Sequence, residues 1–143
     1  MKVQQISVFI ENKTGRLAEV TRVLGGADIS IRALSLADTS DFGILRLIVD
    51  QTDKAQAILR QDGFTVSKTE VVAIEVPDRP KGLNEILEIL EQAGINVEYM
   101  YAFVDRRGGR AIIIFRFEDI EKALATLPKS GVQLIKSEIF QTP

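Results

Sequence analysis

Residues 14–31, TGRLAEVTRVLGGADISI, and residues 80–97, PKGLNEILEILEQAGINV, decide the fold, because a shift of 66 residues lays one on the other without a gap. Leu17 meets Leu83, Glu19 meets Glu85, Leu24 meets Leu90, Ala27 meets Ala93 and Ile29 meets Ile95. Val20 falls on Ile86 and Val23 on Ile89. In each stretch the apolar residues first recur at helical spacing and then turn to the two-residue period of a strand. Farther along, the second hairpin loop is longer and the offset becomes 68. DKAQAILRQDGFTV (53–66) then falls on EKALATLPKSGVQL (121–134), with Ala55 on Ala123, Leu59 on Leu127 and Gly63 on Gly131. Two helical patterns and two Gly-to-strand junctions held in step indicate an internal duplication.

Each copy reads outward in the same way. Ile6, Val8 and Ile10 alternate with Ser7, Phe9 and Glu11 as a strand, and the loop NKTG (12–15) follows. The first helix carries Leu17, Val20, Val23 and Leu24 and is expected to end at Gly25-Gly26. Ile29, Ile31 and Ala33 open a second strand, DTSDFG (38–43) makes a hairpin loop, and Leu45, Leu47 and Val49 line a third strand. Ala55, Ile58 and Leu59 mark a second helix closing near Gly63, and Phe64 and Val66 open a fourth strand. The second copy repeats the series from Val72 to Ile135, with DRRGG (105–109) as an exposed hairpin loop. Right-handed crossovers put both helices of a βαββαβ unit on one face of its antiparallel sheet. The expected class is therefore α+β, two tandem ferredoxin-like units over residues 1–69 and 70–143. The junction SKTEVVAI (67–74) has no Gly or Pro, so the halves should be rigidly joined. Strict alternation puts Phe9, Leu34, Leu36, Ile44 and Ile48, with Met100, Ile112 and Ile114, on the face away from the helices, and Tyr99 and Tyr101 inward. A sheet face so apolar should be covered, by the other sheet or by a second chain, and a homodimer is expected.

Composition narrows the chemistry. The 143 residues are 45% apolar and 27% charged, as in a globular protein. The net charge of −2 and pI of about 5.3 show no basic excess for phosphate contacts, and no nucleic-acid partner is expected. With no Cys and no His, thiolate nucleophiles, the usual metal ligands and the commonest general base near neutrality are missing. No catalytic residue, cofactor or metal is assigned. An RNA-binding module of this strand order would show aromatics on its third strand to stack bases. Here that strand reads ILRLIV (44–49), and in AIIIFRF (111–117) both Phe residues belong to the core face. Arg16 and Arg79 lie near loops that an acylphosphatase-type enzyme would use, but no full constellation accompanies them. MKVQQISVFIENK has no long apolar region, and the longest apolar run, Ala111 to Phe115, falls well short of the roughly 20 residues that span a bilayer. No membrane partner is expected, and the cytoplasm is the default location.

The loops that start the first helices, in IENKTGRLAEV (10–20) and VPDRPKGLNEI (76–86), offer a binding chemistry. A loop running straight into a helix leaves N–H groups open at its start, here Gly15, Arg16 and Leu17, and the helix dipole favours a carboxylate there. Gly15 lets an anion come close. The Asn12 side-chain oxygen can accept from an ammonium, and Asp78 can do so with charge. An α-amino acid presents both groups a short distance apart.

With GADISI (26–31) and AGINVEY (93–99) after them, these loops closely resemble the ACT domain, once per copy and over nearly the whole chain. The chain is similar to stand-alone tandem ACT proteins. The resemblance implies an amino-acid-binding regulatory or sensor protein, without catalytic activity of its own, that binds an L-amino acid at domain interfaces and serves an amino-acid biosynthetic enzyme. The alternative is a ligand-free structural or interaction module that partners a metabolic enzyme. By position, the resemblance places Asn12, Lys13, Thr14, Gly15, Arg16 and Leu17, with Ser30, at the ligand in the first copy. In the second it places Asp78, Lys81, Gly82, Leu83 and Asn96 there. Lys81 departs from the pattern by standing where Gly is usual, with Gly82 one residue late. Either the second loop carries an extra residue or its backbone approaches a ligand less closely. Structural readings stand beside these: Asn12 as a turn residue, Arg16 as a solvated first-turn cation, Ser30 and Asn96 as satisfying backbone groups at a strand start, and Tyr99 and Tyr101 as core-edge residues.

Overall fold

The computed structural model describes residues 1–38, 41–105 and 110–141. Thr39 and Ser40 of the first hairpin loop and residues 106–109 of the second lie outside them. The chain forms two compact units. One comprises Gln4–Thr69 with the C-terminal segment from Glu138, and the other comprises Glu70–Ser137 with Met1–Val3.

The first unit contains β1 (Val3–Glu11), α1 (Arg16–Gly26), β2 (Ile31–Asp38), β3 (Phe42–Val49), α2 (Thr52–Gln61) and the first half of β4 (Thr65–Val76). Its sheet runs in the order β2-β3-β1-β4, with β3 antiparallel to both β1 and β2. Ile6, Val8 and Ile10 of β1 and Leu45, Leu47 and Val49 of β3 face Val20 and Leu24 of α1 and Ala55 and Leu59 of α2, all buried. The fixed alternation of side chains along each strand produces this single apolar layer under two amphipathic helices. Helix α1 ends at Gly25-Gly26 as expected, with Ala27 as its C-cap, Asp28 in the left-handed region (φ 61°) and the Ile29 N–H donating to the Leu24 carbonyl. This is the Schellman closure, and Gly94 repeats it in the second copy.

The second unit repeats the plan with the latter half of β4, α3 (Gly82–Gln92), β5 (Val97–Asp105), β6 (Arg110–Phe117), α4 (Ile120–Thr126) and β7 (Leu134–Ile135). The order is β7-β4-β6-β5. Val72, Ile74, Phe115 and Phe117 pack under Ile86 and Leu90. The Phe115 and Phe117 rings stack with centroids 5.4 Å apart inside this core, so neither is offered for base stacking. Lys2 bridges Glu70 and Glu121 and ties the N-terminal residues to this unit.

A β-bulge changes one expectation in each copy. In β2, Ile31 pairs with Val49 but Ala33 pairs with Ile48, so Arg32 is an extra residue and the alternation reverses after it. Leu34 and Leu36 then lie opposite Leu47 and Leu45, on the helix face and not the outer one, at 56% and 47% exposure. In β5 the same slip at Glu98 brings Met100 opposite Phe115 on the helix face. It turns Tyr99 and Tyr101 outward, opposite Arg116 and Ile114. The outer face itself divides: Ile48, Ile112 and Ile114 are buried, Ile44 is half-buried and Phe9 is exposed. A further element, the short helix α5 (Glu138–Gln141), contacts β3 and buries Phe140. Because α1 and α2 already cover the helix face of β3, α5 lies against the other.

Candidate functional site

The two loop-to-helix junctions share one backbone. Gly15 (φ 93°, ψ −17°) and Lys81 (φ 71°, ψ −3°) are both left-handed N-cap residues without a side-chain capping bond. Three hydrogen bonds recur at the offset of 66. Lys13 N–H donates to the Glu11 carbonyl and Arg79 N–H to the Pro77 carbonyl, both at 2.9 Å. Arg16 N–H donates to Lys13 (3.3 Å) and Gly82 N–H to Arg79 (3.0 Å). Glu19 N–H donates to Gly15 (3.0 Å) and Glu85 N–H to Lys81 (2.9 Å). The second loop therefore has no extra residue. Gly82 serves a different need, since a Cβ there would sit 2.1 Å from the Pro77 carbonyl oxygen.

The same bonds revise the donor set. The Arg16 amide is already engaged, so of the expected donors those of Gly15 and Leu17 stay open among the described residues, with Ala18 beside them, and in the second copy those of Leu83 and Asn84. The Arg16 side chain is not a solvated cation. It lies 4.9 Å over the Phe64 ring and donates to Glu19 at 2.8 Å.

In the first copy a small hollow of about 150 Å³ is lined by Ile10, Glu11, Asn12, Lys13, Leu17, Leu36 and Gly43. The Asn12 N–H donates to the Asp41 carbonyl, which fixes the loop against the start of β3, and Lys13 pairs with Glu11 at 3.3 Å. Thr14 and Gly15 are exposed beside it. Leu36 borders the hollow only because the bulge has turned it to the helix face. In the second copy Asp78 opens on a larger cavity of about 390 Å³ under the start of α3, while Lys81 is exposed and Leu83 half-buried.

Ser30 and Asn96 stand elsewhere. β1 and β2 run parallel on either side of β3, so Ser30 lies beside Asp50 at the end of the sheet opposite Asn12. Seven steps along β3, at about 3.3 Å each, separate these ends by roughly 23 Å. There the Ser30 N–H donates to Asp50 Oδ1 and the Asp50 N–H to the Ser30 carbonyl. Asn96 and Glu118 form the corresponding pair, with Asn96 Nδ2 donating to Glu118 at 3.2 Å.

Two βαββαβ units, each with a glycine-bearing or lysine-bearing left-handed turn at the first helix, define a tandem small-ligand-sensing fold. The chain belongs to the ACT family: the model of the ACT domain pair matches residues 1–142. It is 38% identical to protein BT0572 from Bacteroides thetaiotaomicron, covering 100% of this chain and 98% of that one with a TM-score of 0.93. In fold it is also similar to the regulatory subunits of aspartate kinase from Thermus flavus (16% identity, 90% and 92% covered, TM-score 0.62) and Thermus thermophilus (17%, 88% and 90%, 0.61). Among curated proteins no match is found. Membership makes the chain a ligand-sensing regulatory protein. Among the described residues no cluster of acidic side chains could hold a metal ion, and no helix is long and apolar enough to cross a membrane.

Proposed function

We propose that the protein is a cytoplasmic sensor of an L-α-amino acid, which binds at the first loop with its carboxylate at the amides of Leu17 and Ala18 and its ammonium at Asn12. The observation that carries this reading is the hollow that joins Asn12 to the start of α1 beside the left-handed Gly15. At about 150 Å³ it admits the head of an amino acid but does not enclose one. Leu17 and Leu36 line it and stand exposed, and Leu34 is exposed two residues along β2 on the same face. A second copy of the chain laid over them would close the site and bury apolar surface, at about 25 cal/mol per Å². A homodimer is therefore part of the proposal. Light scattering at micromolar concentration should give twice the 15.9 kDa chain mass, and a clean monomer would refute that part. An aspartate-kinase-like enzyme of amino-acid biosynthesis is the kind of partner that the fold relatives suggest.

A thermal-shift screen of the twenty amino acids, followed by calorimetry, tests the ligand, since a molecule that binds only the folded state raises its stability. Asn12→Ala should weaken binding by about 1–3 kcal/mol by leaving the ammonium without its acceptor. Asp78→Ala is the matched probe of the second copy. If no amino acid binds at millimolar concentration, the exposed apolar rim is better read as a docking face and the chain as a ligand-free interaction module.

A further inference from the structure

The two copies treat one region of their helix face in opposite ways. In the first, Arg16 reaches back from the start of α1 across Phe64 and onto Glu19, with its Nε buried and without a partner. Phe64 corresponds to Val132, Glu19 to Glu85 and Arg16 to Gly82. In the second copy the long cation and the ring are thus both absent, while the carboxylate remains. The cavity of about 390 Å³ lies against two of these three positions, Glu85 and Val132. Its apolar wall includes Ile86, Ile89 and Val132, and among the described residues its charged lining groups are carboxylates: Glu75, Asp78 and Glu85. Arg79 holds Glu85 at the rim through two bonds of 2.8 and 2.9 Å, and this pairing keeps the Glu85 carboxyl below its ordinary pKa. Refilling from Gly82 is closed off, because any side chain there meets the Pro77 carbonyl.

We propose that this cavity binds a guanidinium carried on an alkyl chain, the group that Arg16 supplies from within the first copy. The first copy is the internal template. It shows what the equivalent carboxylate and apolar wall accept, a planar cation whose stem lies on hydrophobic surface. The second copy keeps the carboxylate and wall and leaves the cation to come from solution. The site is separate from the Asn12 loop of the first copy, although it shares Asp78 with the second-copy loop, so Asn12→Ala tests the amino-acid reading alone.

The probe is n-butylguanidinium, with n-butylurea as its uncharged counterpart, titrated calorimetrically into the full chain. The cation should bind one per chain in the millimolar range or tighter, and the urea at least tenfold more weakly. Glu85→Gln should weaken the cation at least tenfold. Arg79→Ala releases Glu85 from its rim partner and should tighten it several-fold, and this exposed substitution leaves the fold intact. Arg16→Ala should open the same space over Phe64 and raise the stoichiometry from one to two. Where that variant is unfolded by circular dichroism, addition of n-butylguanidinium should restore its melt. Asn12→Ala should change none of these values. No binding of the cation at 10 mM, equal binding of the urea, or an unchanged affinity in Arg79→Ala would each overturn the proposal.

Discussion

Gly15 and Lys81 hold the same place in the two copies and nearly the same dihedral angles, yet one is the residue best suited to that conformation and the other is poorly suited to it. A left-handed L-residue costs about 1–2 kcal/mol, and Lys81 bears that cost. The comparison shows that the turn is imposed by its three recurring main-chain hydrogen bonds and not by the presence of glycine. The glycine of the second copy has moved one position to 82, where the demand is for space. One glycine relieves a torsion, and the other relieves a collision with a carbonyl oxygen.

The largest expected effect separates these two roles. Gly82→Ala places a methyl against main chain that cannot swing away, and urea denaturation should show a loss of about 3 kcal/mol or more. Gly15→Ala meets nothing within 4 Å and should lose only about 1 kcal/mol, from the torsion alone. If the two losses were equal, the distinction would not hold. Next in size, Lys81→Gly should stabilise the chain by about 0.5–1 kcal/mol. It releases the left-handed strain and gives back part of the gain through the freer unfolded chain. A loss of stability there would mean that the lysine side chain contributes more than the torsion costs.

The smallest effect concerns the exposed Arg79–Glu85 pair, whose counterpart Lys13 bridges Glu11 instead. Hydrogen bonding from Arg79 depresses the Glu85 pKa, so the pair's contribution is present above the ordinary carboxylate range. It is lost as pH falls through the depressed value. The melting temperatures of the parent and Glu85→Gln should therefore differ slightly near neutrality and converge in acid. A gap that widens on acidification would contradict the sign.

Much of the architecture was legible because it is periodic. The offsets of 66 and 68 align the helices, the core leucines and the closing residues, and nearly every inward residue of β1, β3 and β6 was readable from alternation. What was hidden is non-periodic or non-local. Nothing at Arg32 or Glu98 marks an extra strand residue, so Leu34, Leu36, Met100, Tyr99 and Tyr101 were assigned to the wrong faces. The loop register left an insertion at Lys81 as one of two readings because glycine was assumed to set the turn. Arg16 meets Phe64 across 48 residues of chain, a contact that no local pattern announces. The loop residues of the first copy do gather around one hollow, whereas Ser30 and Asn96 follow their strand starts to the far end of their sheets.

The exchange of terminal segments has a consequence for the order in which the protein can be completed during synthesis. Chains emerge from the ribosome N-terminus first and domains generally fold as they appear. Here the unit built from Gln4–Thr69 still lacks α5, with its buried Phe140, until Glu138–Gln141 have been made. Met1–Val3 are made before the rest of their unit, which begins at Glu70. A nascent chain halted after the first copy would hold a finished helix layer and an unfinished sheet face in that unit, and its closure would wait until Phe140 is in place.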